Sequence, residues 1–182
     1  MWWSLFYVLT IVLANVVTAG FSPVHMIWFI VPTGTFFIGF TLLFRNMVQL
    51  TLGRRWVYAA IFVGLVSSAI SSYLLRQTMM IVVASAVSFA ISESADTEIF
   101  TRMWKRNIYV RVLCGGGVGG ILDSAVFVVL GLSPIGAGFI PWQALPNAIL
   151  GQLLIKVLMQ VLGGIWLSEL HKRKKYSKVE VV

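Results

Sequence analysis

Long apolar stretches alternate with short polar connections along most of the chain. A membrane-spanning helix needs about 20 mostly apolar residues to cross about 30 Å of hydrocarbon. Six stretches are long enough, and they predict spans at residues 2–19, 26–44, 56–74, 79–95, 108–132 and 145–167. The first stretch lacks a basic leading segment and is too long for a signal-peptide core, so we interpret it as a retained helix. The predicted fold class is all-α, a polytopic membrane protein with six transmembrane helices.

The composition agrees with this pattern and excludes several classes of protein. Hydrophobic residues make up 59% of the 182 residues and charged residues only 11%, whereas an ordinary globular protein has about 25% charged residues. A soluble particle of this size cannot hide so much apolar surface, which excludes a cytosolic enzyme, a secreted disulfide scaffold and a disordered chain. The single cysteine, Cys114, and the two histidines are too few for an internal disulfide or a zinc site.

The net charge of +8 alone would be typical of a nucleic-acid-binding protein, but the positions of the charges favour a different interpretation. If six helices alternate, one side of the membrane receives twelve basic residues: Arg45, Arg54, Arg55, Arg102, Lys105, Arg106, Arg111, Lys172, Arg173, Lys174, Lys175 and Lys178. Arg76 alone falls on the other side, and segments 20–25 and 133–143 contain no lysine or arginine. The positive-inside rule therefore predicts that both termini are cytoplasmic. Residues 1–170 are then the transmembrane domain, and residues 171–182 are a basic cytoplasmic tail.

Span six contains the residue that is most costly to place in a membrane. Lys156 lies near the middle of the span, where a charge costs about 2.5–3.5 kcal/mol and usually faces a partner or a wet cavity. Gln152 and Gln160 flank it at i−4 and i+4 and therefore share its helical face. This stripe predicts an inward-facing cavity wall. The alternative interpretation is a hydrogen-bonded seam that only joins helices.

Span four carries a second polar stripe. Four residues fall on one side of the helix, with Glu93 at the edge of that side: Ser85, Ser88, Ser92 and Asp96. Serines alone are common packing residues between membrane helices, so the two acids decide the interpretation. Glu93 is expected to lie deeper. Asp96 lies toward the cytoplasmic end, where it is either a pocket residue or an interfacial residue that is solvated or paired with Arg45 or Arg102.

Span five adds an acid at membrane depth. Asp123 lies about 18 Å into the membrane from Arg111, at 1.5 Å per residue. Apart from Arg111, which flanks the connection between spans four and five, Lys156 is the only lysine or arginine within a predicted span. It should therefore pair with Asp123, with Glu93 or with the substrate itself. Span one contributes one amide, Asn15, near its outer half.

Glycine and proline positions indicate how the spans pack. The pairs Gly115–Gly119 and Gly116–Gly120 have the small-xxx-small spacing that allows close helix contact, and the run is also a place for the helix to flex. No Lys-Ser/Thr follows, so a phosphate-binding loop is not predicted. Pro32 and Gly34 predict a broken or kinked helix in span two, a feature that transporters use to expose backbone groups to ligands.

Catalytic motifs are absent from the sequence. His25 and His171 fall on opposite sides of the predicted membrane, so they cannot share a metal. There is no HExxH or GxSxG motif, and the spacing from Gly120 to Asp123 does not match an intramembrane aspartyl-protease signature. We therefore predict that the protein is not an enzyme and uses no cofactor or metal.

A series of short motifs occurs in a fixed order along the chain. They are Ala14-Asn15, Val31-Pro32-Thr33-Gly34-Thr35, Arg45-Asn46-x-x-Gln49-x-x-x-Gly53-Arg54-Arg55, Ala84-Ser85-Ala86-Val87-Ser88-Phe89, Ser92-Glu93-x-x-Asp96, Gly119-Gly120-x-x-Asp123-Ser124-x-x-Phe127 and Gly151-Gln152-x-x-x-Lys156. In this order they resemble the VUT or YhhQ-type family of queuosine-precursor transporters. That family often has Arg-Asp after span two, whereas this chain has Arg45-Asn46, so any role of that acid is missing or moved.

The resemblance implies six transmembrane helices and uptake of a 7-deazaguanine, such as 7-cyano-7-deazaguanine, across a bacterial inner membrane. It places the substrate among Asn15, Ser85, Ser88, Phe89, Glu93, Asp96, Asp123, Gln152 and Lys156, with Arg45 and Gln49 as gating or ion-pair residues. A carboxylate can accept hydrogen bonds from the N–H donors of a guanine-like edge, and an amide or ammonium can donate to its carbonyl or nitrile. An aromatic residue such as Phe89 or Trp28 can stack on the flat ring.

Two other functions fit the same sequence. One is a substrate-binding membrane subunit that is energised by a separate ATPase, since the chain itself has no nucleotide site. The other is a membrane scaffold that transports nothing and whose polar stripes only join helices. The predicted partners are a small deazapurine and the lipid bilayer, without nucleic acid, and a homo-oligomer is compatible with the sequence.

Overall fold

Helices and one short β-hairpin make up the fold in a computed structural model. The structure describes residues 2–21, 24–26, 29–31, 33–76 and 78–179, with side chains up to residue 172 apart from those of residues 19, 25, 26 and 30. The helices are α1 Trp2–Gly20, α2 Thr35–Leu52, α3 Arg54–Leu74, α4 Met79–Arg102, α5 Ile108–Phe127 and α6 Leu145–Val179. The strands are β1 Val24–Met26 and β2 Phe29–Val31, which pair antiparallel.

The helices have the length and the outward-facing side chains of membrane spans. In the described part of the chain, five segments are long and apolar enough to cross a membrane: Thr35–Leu52, Arg54–Leu74, Met79–Arg102, Ile108–Leu132 and Trp142–Lys172. The apolar part of α1, Trp2–Thr18, is shorter. Large apolar side chains face outward, as shown by Phe62 at 68% and Leu154 at 53% exposure. The prediction of a multi-pass helical membrane protein is therefore confirmed.

The prediction of a helix in the first part of span two is wrong. Val24 pairs with Val31 and Met26 pairs with Phe29 in the β-hairpin, and α2 begins only at Thr35. Short runs rich in valine, isoleucine and phenylalanine suit a strand as well as a membrane helix. Hydropathy alone therefore does not distinguish the two structures here.

Gly34 marks the start of α2 rather than a kink within it. It precedes the helix with near-helical backbone angles, φ −65° and ψ −16°. A Cβ atom at this position would overlap the hydroxyl of Thr18 and the carbonyl of Ala14. Glycine therefore allows the end of α1 to lie directly against the start of α2. Pro32, the other residue of the predicted break, lies outside the described residues.

Helix α2 continues beyond the predicted end of span two at residue 44. It stops before Gly53, whose φ of +90° favours glycine, and the Gly53 N–H donates to the Gln49 carbonyl at 3.1 Å. Arg45 and Asn46 therefore lie inside the helix, and both are buried. Helix α3 begins at the next residue, so Gly53 alone connects the two helices.

Two further helices extend beyond their predicted limits, and one ends where it was predicted to end. Helix α4 continues to Arg102, so Asp96 lies within the helix and not beyond its end. Helix α5 continues as a short π-helical turn at Val128–Leu132, so this segment ends at the predicted limit of span five. Helix α6 runs without interruption to Val179, so residues 171–179, predicted as a tail, continue its backbone.

Helix α5 packs between α4 and α6 through its glycines. The pair Gly115–Gly119 faces α4, where an added Cβ at either position would press on Asp96. The pair Gly116–Gly120 faces α6, where a Cβ at the first position would overlap the side-chain amide of Gln160. The predicted close helix contacts are therefore confirmed on two sides of one helix.

Substitution of Gly115 should show how tightly this contact is packed. Gly115→Ala places a methyl group against the buried carboxylate of Asp96, and overpacking of this kind typically costs about 1–3 kcal/mol. We expect the unfolding temperature of the detergent-solubilised protein to fall by several degrees. Gly117→Ala is the matched control, because a Cβ there meets no atom within 4 Å. Equal unfolding temperatures for the two variants would contradict the packing described here.

Candidate functional site

A cavity of about 80 Å³ lies among the helices, and we call it the central cavity. A buried water molecule needs about 10–15 Å³ on a comparable measure, so the cavity has room for several waters or one small, flat ligand. Its polar lining residues are Asn15, Thr18, Thr35, Thr41, Ser68, Ser85, Ser88, Ser92, Glu93, Asp123, Gln152 and Lys156. Phe89 and Phe127 add aromatic surface. The wall can therefore contact both the polar edge and the flat face of a ligand.

Most of the site residues predicted from the sequence meet at this cavity. Those that line it are Asn15, Ser85, Ser88, Phe89, Glu93, Asp123, Gln152 and Lys156. Arg45, Gln49 and Asp96 do not line it. They form side-chain contacts between α2 and α4, next to Glu93. The structure thus separates the predicted set into a cavity wall and a charged layer that supports it.

Arg45 is the centre of that supporting layer. Its Nε atom lies 3.2 Å from Oε2 of Glu93, and its Nη2 atom pairs with Asp96. Its Nη1 atom donates to Oε1 of Gln49 and to the hydroxyl of Thr97, each at 3.3 Å. A buried charge is tolerated only when it is paired and hydrogen-bonded, and these contacts meet both conditions.

One prediction about the charged residues is wrong, and one open alternative is decided. The sequence predicts Arg45 in the connection after span two, with Lys156 as the only basic residue deep inside a span, yet Arg45 lies within α2 and has no exposed surface. Of the predicted alternatives for Asp96, the pair with Arg45 is confirmed, whereas a solvated position is excluded because Asp96 is fully buried. Hydropathy averages over all sides of a helix, so it does not reveal that this polar side turns inward.

Asn46 occupies the position at which the family often has an acid. Its side chain is fully buried, and its Oδ1 atom accepts a hydrogen bond from Nη2 of Arg45 at 3.0 Å. The amide therefore supplies an acceptor to the guanidinium without adding a negative charge beside Glu93 and Asp96.

Glu93 connects the supporting layer to the central cavity. Oε2 accepts a hydrogen bond from the hydroxyl of Tyr7 at 3.3 Å and also faces Nε of Arg45. Both contacts use Oε2, so Oε1 is the oxygen that a ligand could approach. Since the residue lines the cavity while Asp96 does not, Glu93 is the acid of α4 that can reach a ligand.

Lys156 forms a second ion pair at the wall of the central cavity. Its Nζ atom lies 2.6 Å from Oδ2 of Asp123 and donates to the hydroxyl of Ser124 at 2.8 Å. The lysine side chain is 1% exposed and that of Asp123 is 15% exposed. The prediction that Lys156 pairs with an acid is therefore confirmed, with Asp123 rather than Glu93 as that acid.

Gln152 offers a free donor at the cavity wall. Its Oε1 atom accepts from Nζ of Lys156 at 3.4 Å, whereas its Nε2 atom has no hydrogen-bond partner among the described residues. The side chain is 2% exposed, so water outside the protein does not satisfy this donor. Gln160, the other amide of the stripe, packs against Gly116 and does not line the cavity.

Asn15 contributes to the cavity from α1 but is already bonded to α3. Its amide nitrogen donates to the hydroxyls of Ser68 and Ser71, each at 2.9 Å. These bonds fix the orientation of the amide, so its oxygen is the atom left for a ligand.

Tyr7, Thr97 and Ser124 were not predicted, although each holds a charged site residue in place. A tyrosine in an apolar run is typical of a helix near the membrane surface, and single hydroxyl residues are common in membrane helices. One signal was available in the sequence, because Thr97 lies four residues after Glu93 and therefore shares its helical face.

Comparison with protein families identifies the class of protein. A family described as "Putative vitamin uptake transporter" matches residues 72–170. The match spans more than half of the 182 residues and includes Glu93, Asp123 and Lys156. The chain therefore belongs to this family of uptake transporters, and the resemblance to VUT proteins is confirmed. No curated protein and no solved structure matches the chain.

Proposed function

We propose that this protein imports a 7-deazaguanine precursor of queuosine, such as 7-cyano-7-deazaguanine, across the bacterial inner membrane. The observation that carries the proposal is the buried central cavity, whose wall combines a carboxylate, an unpartnered amide donor and aromatic surface. Membership of an uptake-transporter family supports the direction and type of activity. A site near the middle of the spans is also where many transporters bind their substrates.

The polar groups of the cavity are complementary to a guanine-like edge. Such an edge has N–H donors beside a carbonyl acceptor. Oε1 of Glu93 can accept from one of the donors, and Nε2 of Gln152 can donate to the carbonyl or to the nitrile. Pairing with a ligand would satisfy Nε2 of Gln152, which otherwise has no partner among the described residues, and this favours binding.

The aromatic surface suits the flat face of the same ligand. Phe89 on α4 and Phe127 at the end of α5 both line the central cavity, and stacking on a planar heterocycle is a favourable contact for such rings. Trp28, the other aromatic residue predicted to stack, lies outside the described residues.

The charges around the cavity favour a ligand that donates hydrogen bonds. Arg45 and Lys156 supply two positive charges, whereas Glu93, Asp96 and Asp123 supply three carboxylates. Among these residues, the carboxylates therefore outnumber the cations by one. An N–H donor edge can interact with that carboxylate, whereas an anionic ligand would be repelled.

The proposed transporter has six spans with both termini in the cytoplasm. Helix α1 would serve as the sixth span, and residues 1–170 would form the transport domain. The distribution of basic residues supports this orientation, since the connection from α4 to α5 carries Lys105 and Arg106 whereas the connection at 133–141 carries no lysine or arginine.

Cysteine labelling tests the proposed orientation. Cys114 is exposed and must first be replaced by alanine. In that background, Ile135→Cys in intact cells should react with a membrane-impermeant thiol reagent, because Ile135 is exposed in the connection proposed to face outward. Lys105→Cys, which is also exposed, should react only after the membrane is opened. The reverse pattern of labelling would contradict the proposed topology.

Removing the charge of Glu93 should stop uptake without preventing insertion into the membrane. Glu93→Gln keeps the shape of the side chain and removes the acceptor for a charge-assisted hydrogen bond, so uptake should fall about tenfold or more. Glu98→Gln is the matched control on the same helix, because Glu98 pairs with Arg54 and Tyr58 away from the cavity. Wild-type uptake by both Glu93→Gln and Asp96→Asn would show that the stripe only joins helices.

Growth of a precursor-auxotrophic bacterium on external 7-cyano-7-deazaguanine tests the proposed function in cells. The protein should restore formation of the modified nucleoside in a strain that lacks both precursor synthesis and its own transporter. A non-transporting scaffold would restore nothing. Repeating the test in cells without candidate ATPase partners distinguishes a self-sufficient transporter from a subunit that needs an ATPase.

A further inference from the structure

A second pocket, of about 450 Å³, lies at one end of the helix bundle, and we call it the basic pocket. It is formed by Leu50 at the end of α2, by Trp104, Arg106 and Arg111 around the connection from α4 to α5, and by Lys172 on α6. None of these residues lines the central cavity. The basic pocket is therefore a separate candidate binding site.

The lining of the basic pocket is positively charged. Arg106, Arg111 and Lys172 line it together with His171, and no carboxylate does so among the described residues. Lys172 also contacts Glu169, at 2.8 Å, on the exposed surface of α6. A concave surface with this excess of positive charge attracts an anionic ligand.

Arg111 indicates which kind of anion fits. Its guanidinium carbon lies 3.9 Å from the ring centre of Phe100 and 4.5 Å from that of Trp104. Its Nε atom donates to the Phe100 carbonyl at 3.1 Å, and the side chain is only 5% exposed. The Nη2 atom, in contrast, has no hydrogen-bond partner in the described part of the chain. A guanidinium fixed in this way presents a donor to an oxyanion, and its planar geometry suits phosphate oxygens.

We propose that the basic pocket binds the phosphodiester headgroup of an anionic membrane lipid, with Arg111 as the buried anchor and with Arg106 and Lys172 at the rim. Basic pockets between membrane helices at the cytoplasmic side are suited to such headgroups, because anionic lipids give that surface a negative potential. Trp104 is 68% exposed beside the pocket, and tryptophan is enriched at the boundary between headgroups and acyl chains. A lipid places its phosphate and its apolar chains in these two environments together, which free phosphate does not.

Lipid retention by the purified full-length protein tests this proposal. The protein is exchanged into micelles that contain equal amounts of phosphatidylglycerol and phosphatidylcholine, and retained lipid is counted by native mass spectrometry. The wild-type protein should retain phosphatidylglycerol about tenfold in preference to phosphatidylcholine. The double variant Arg106→Gln/Lys172→Gln should lose most of that preference. Both side chains are exposed, so the unfolding temperature should stay close to that of the wild type.

A charge-matched control separates the basic pocket from general surface charge. Arg55→Gln/Arg102→Gln removes the same net charge from exposed positions outside the pocket, and it should keep the lipid preference. Equal retention of the two lipids by the wild-type protein, or an equal loss in both double variants, would overturn the proposal. Stabilisation by inorganic phosphate that depends on Arg106 and Lys172, without any lipid preference, would instead assign the site to free phosphate. None of these measurements requires transport activity.

Discussion

Arg45→Met should destabilise the protein more than any other single substitution at the central cavity or its supporting layer. Methionine roughly preserves the length of the side chain but removes the charge that faces both Glu93 and Asp96. Two carboxylates would then be buried without a cation, and breaking a buried ion pair in this way costs about 3–5 kcal/mol. We expect a lower unfolding temperature in detergent and a smaller fraction of monodisperse protein.

Removing the two unpaired carboxylates as well should restore the unfolding temperature but not uptake. In the triple variant Arg45→Met/Glu93→Gln/Asp96→Asn no uncompensated charge is left in this layer, so the unfolding temperature should recover most of the loss. Arg54→Met is the control, because its pair with Glu98 is half exposed and exposed pairs contribute about 0–1 kcal/mol. If Arg45→Met unfolded at the wild-type temperature, the supporting role of this ion pair would be wrong.

Lys156→Met should abolish uptake of the substrate. The lysine holds Asp123, Ser124 and Gln152 at the cavity wall, so its loss disturbs the groups that would face a ligand. We expect uptake at the level of cells without the protein. Lys105→Met, at an exposed position, should transport normally.

Two companion variants separate folding from transport. Adding Asp123→Asn to Lys156→Met removes the uncompensated carboxylate, so folding should recover while uptake does not. Lys156→Arg should rescue poorly, because the larger planar guanidinium would crowd the cavity. Normal transport by Lys156→Met would mean that the lysine only joins helices.

The cavity wall could be predicted from the sequence because polar residues in membrane spans are rare and costly. The stripe from Gln152 to Lys156, the stripe from Ser85 to Glu93 and the acid at Asp123 each identify a helical face by spacing alone. The structure brings these three faces together. Which residues pair with one another could not be predicted, because Glu93 and Asp123 were equally available to Lys156 before the helix packing was known.

The supporting layer was harder to predict for a physical reason. Arg45, Asn46 and Gln49 lower the local hydropathy as a loop would, yet they form the inward side of α2. The β-hairpin was missed for the opposite reason, since its residues are as apolar as a membrane helix. Hydropathy indicates how readily a segment leaves water for an apolar environment. It does not indicate which secondary structure the segment adopts there.

Counterflow in liposomes is the most direct test of the claim that the central cavity carries a deazapurine across the membrane. Purified protein is reconstituted into vesicles loaded with unlabelled 7-cyano-7-deazaguanine, and entry of the labelled compound is followed without ATP, an ATPase or an imposed ion gradient. Wild-type protein should give transient accumulation of label that excess external unlabelled compound abolishes, whereas Lys156→Met should match protein-free vesicles. Entry of label into wild-type vesicles no faster than into protein-free vesicles, with folded protein present, would contradict the account.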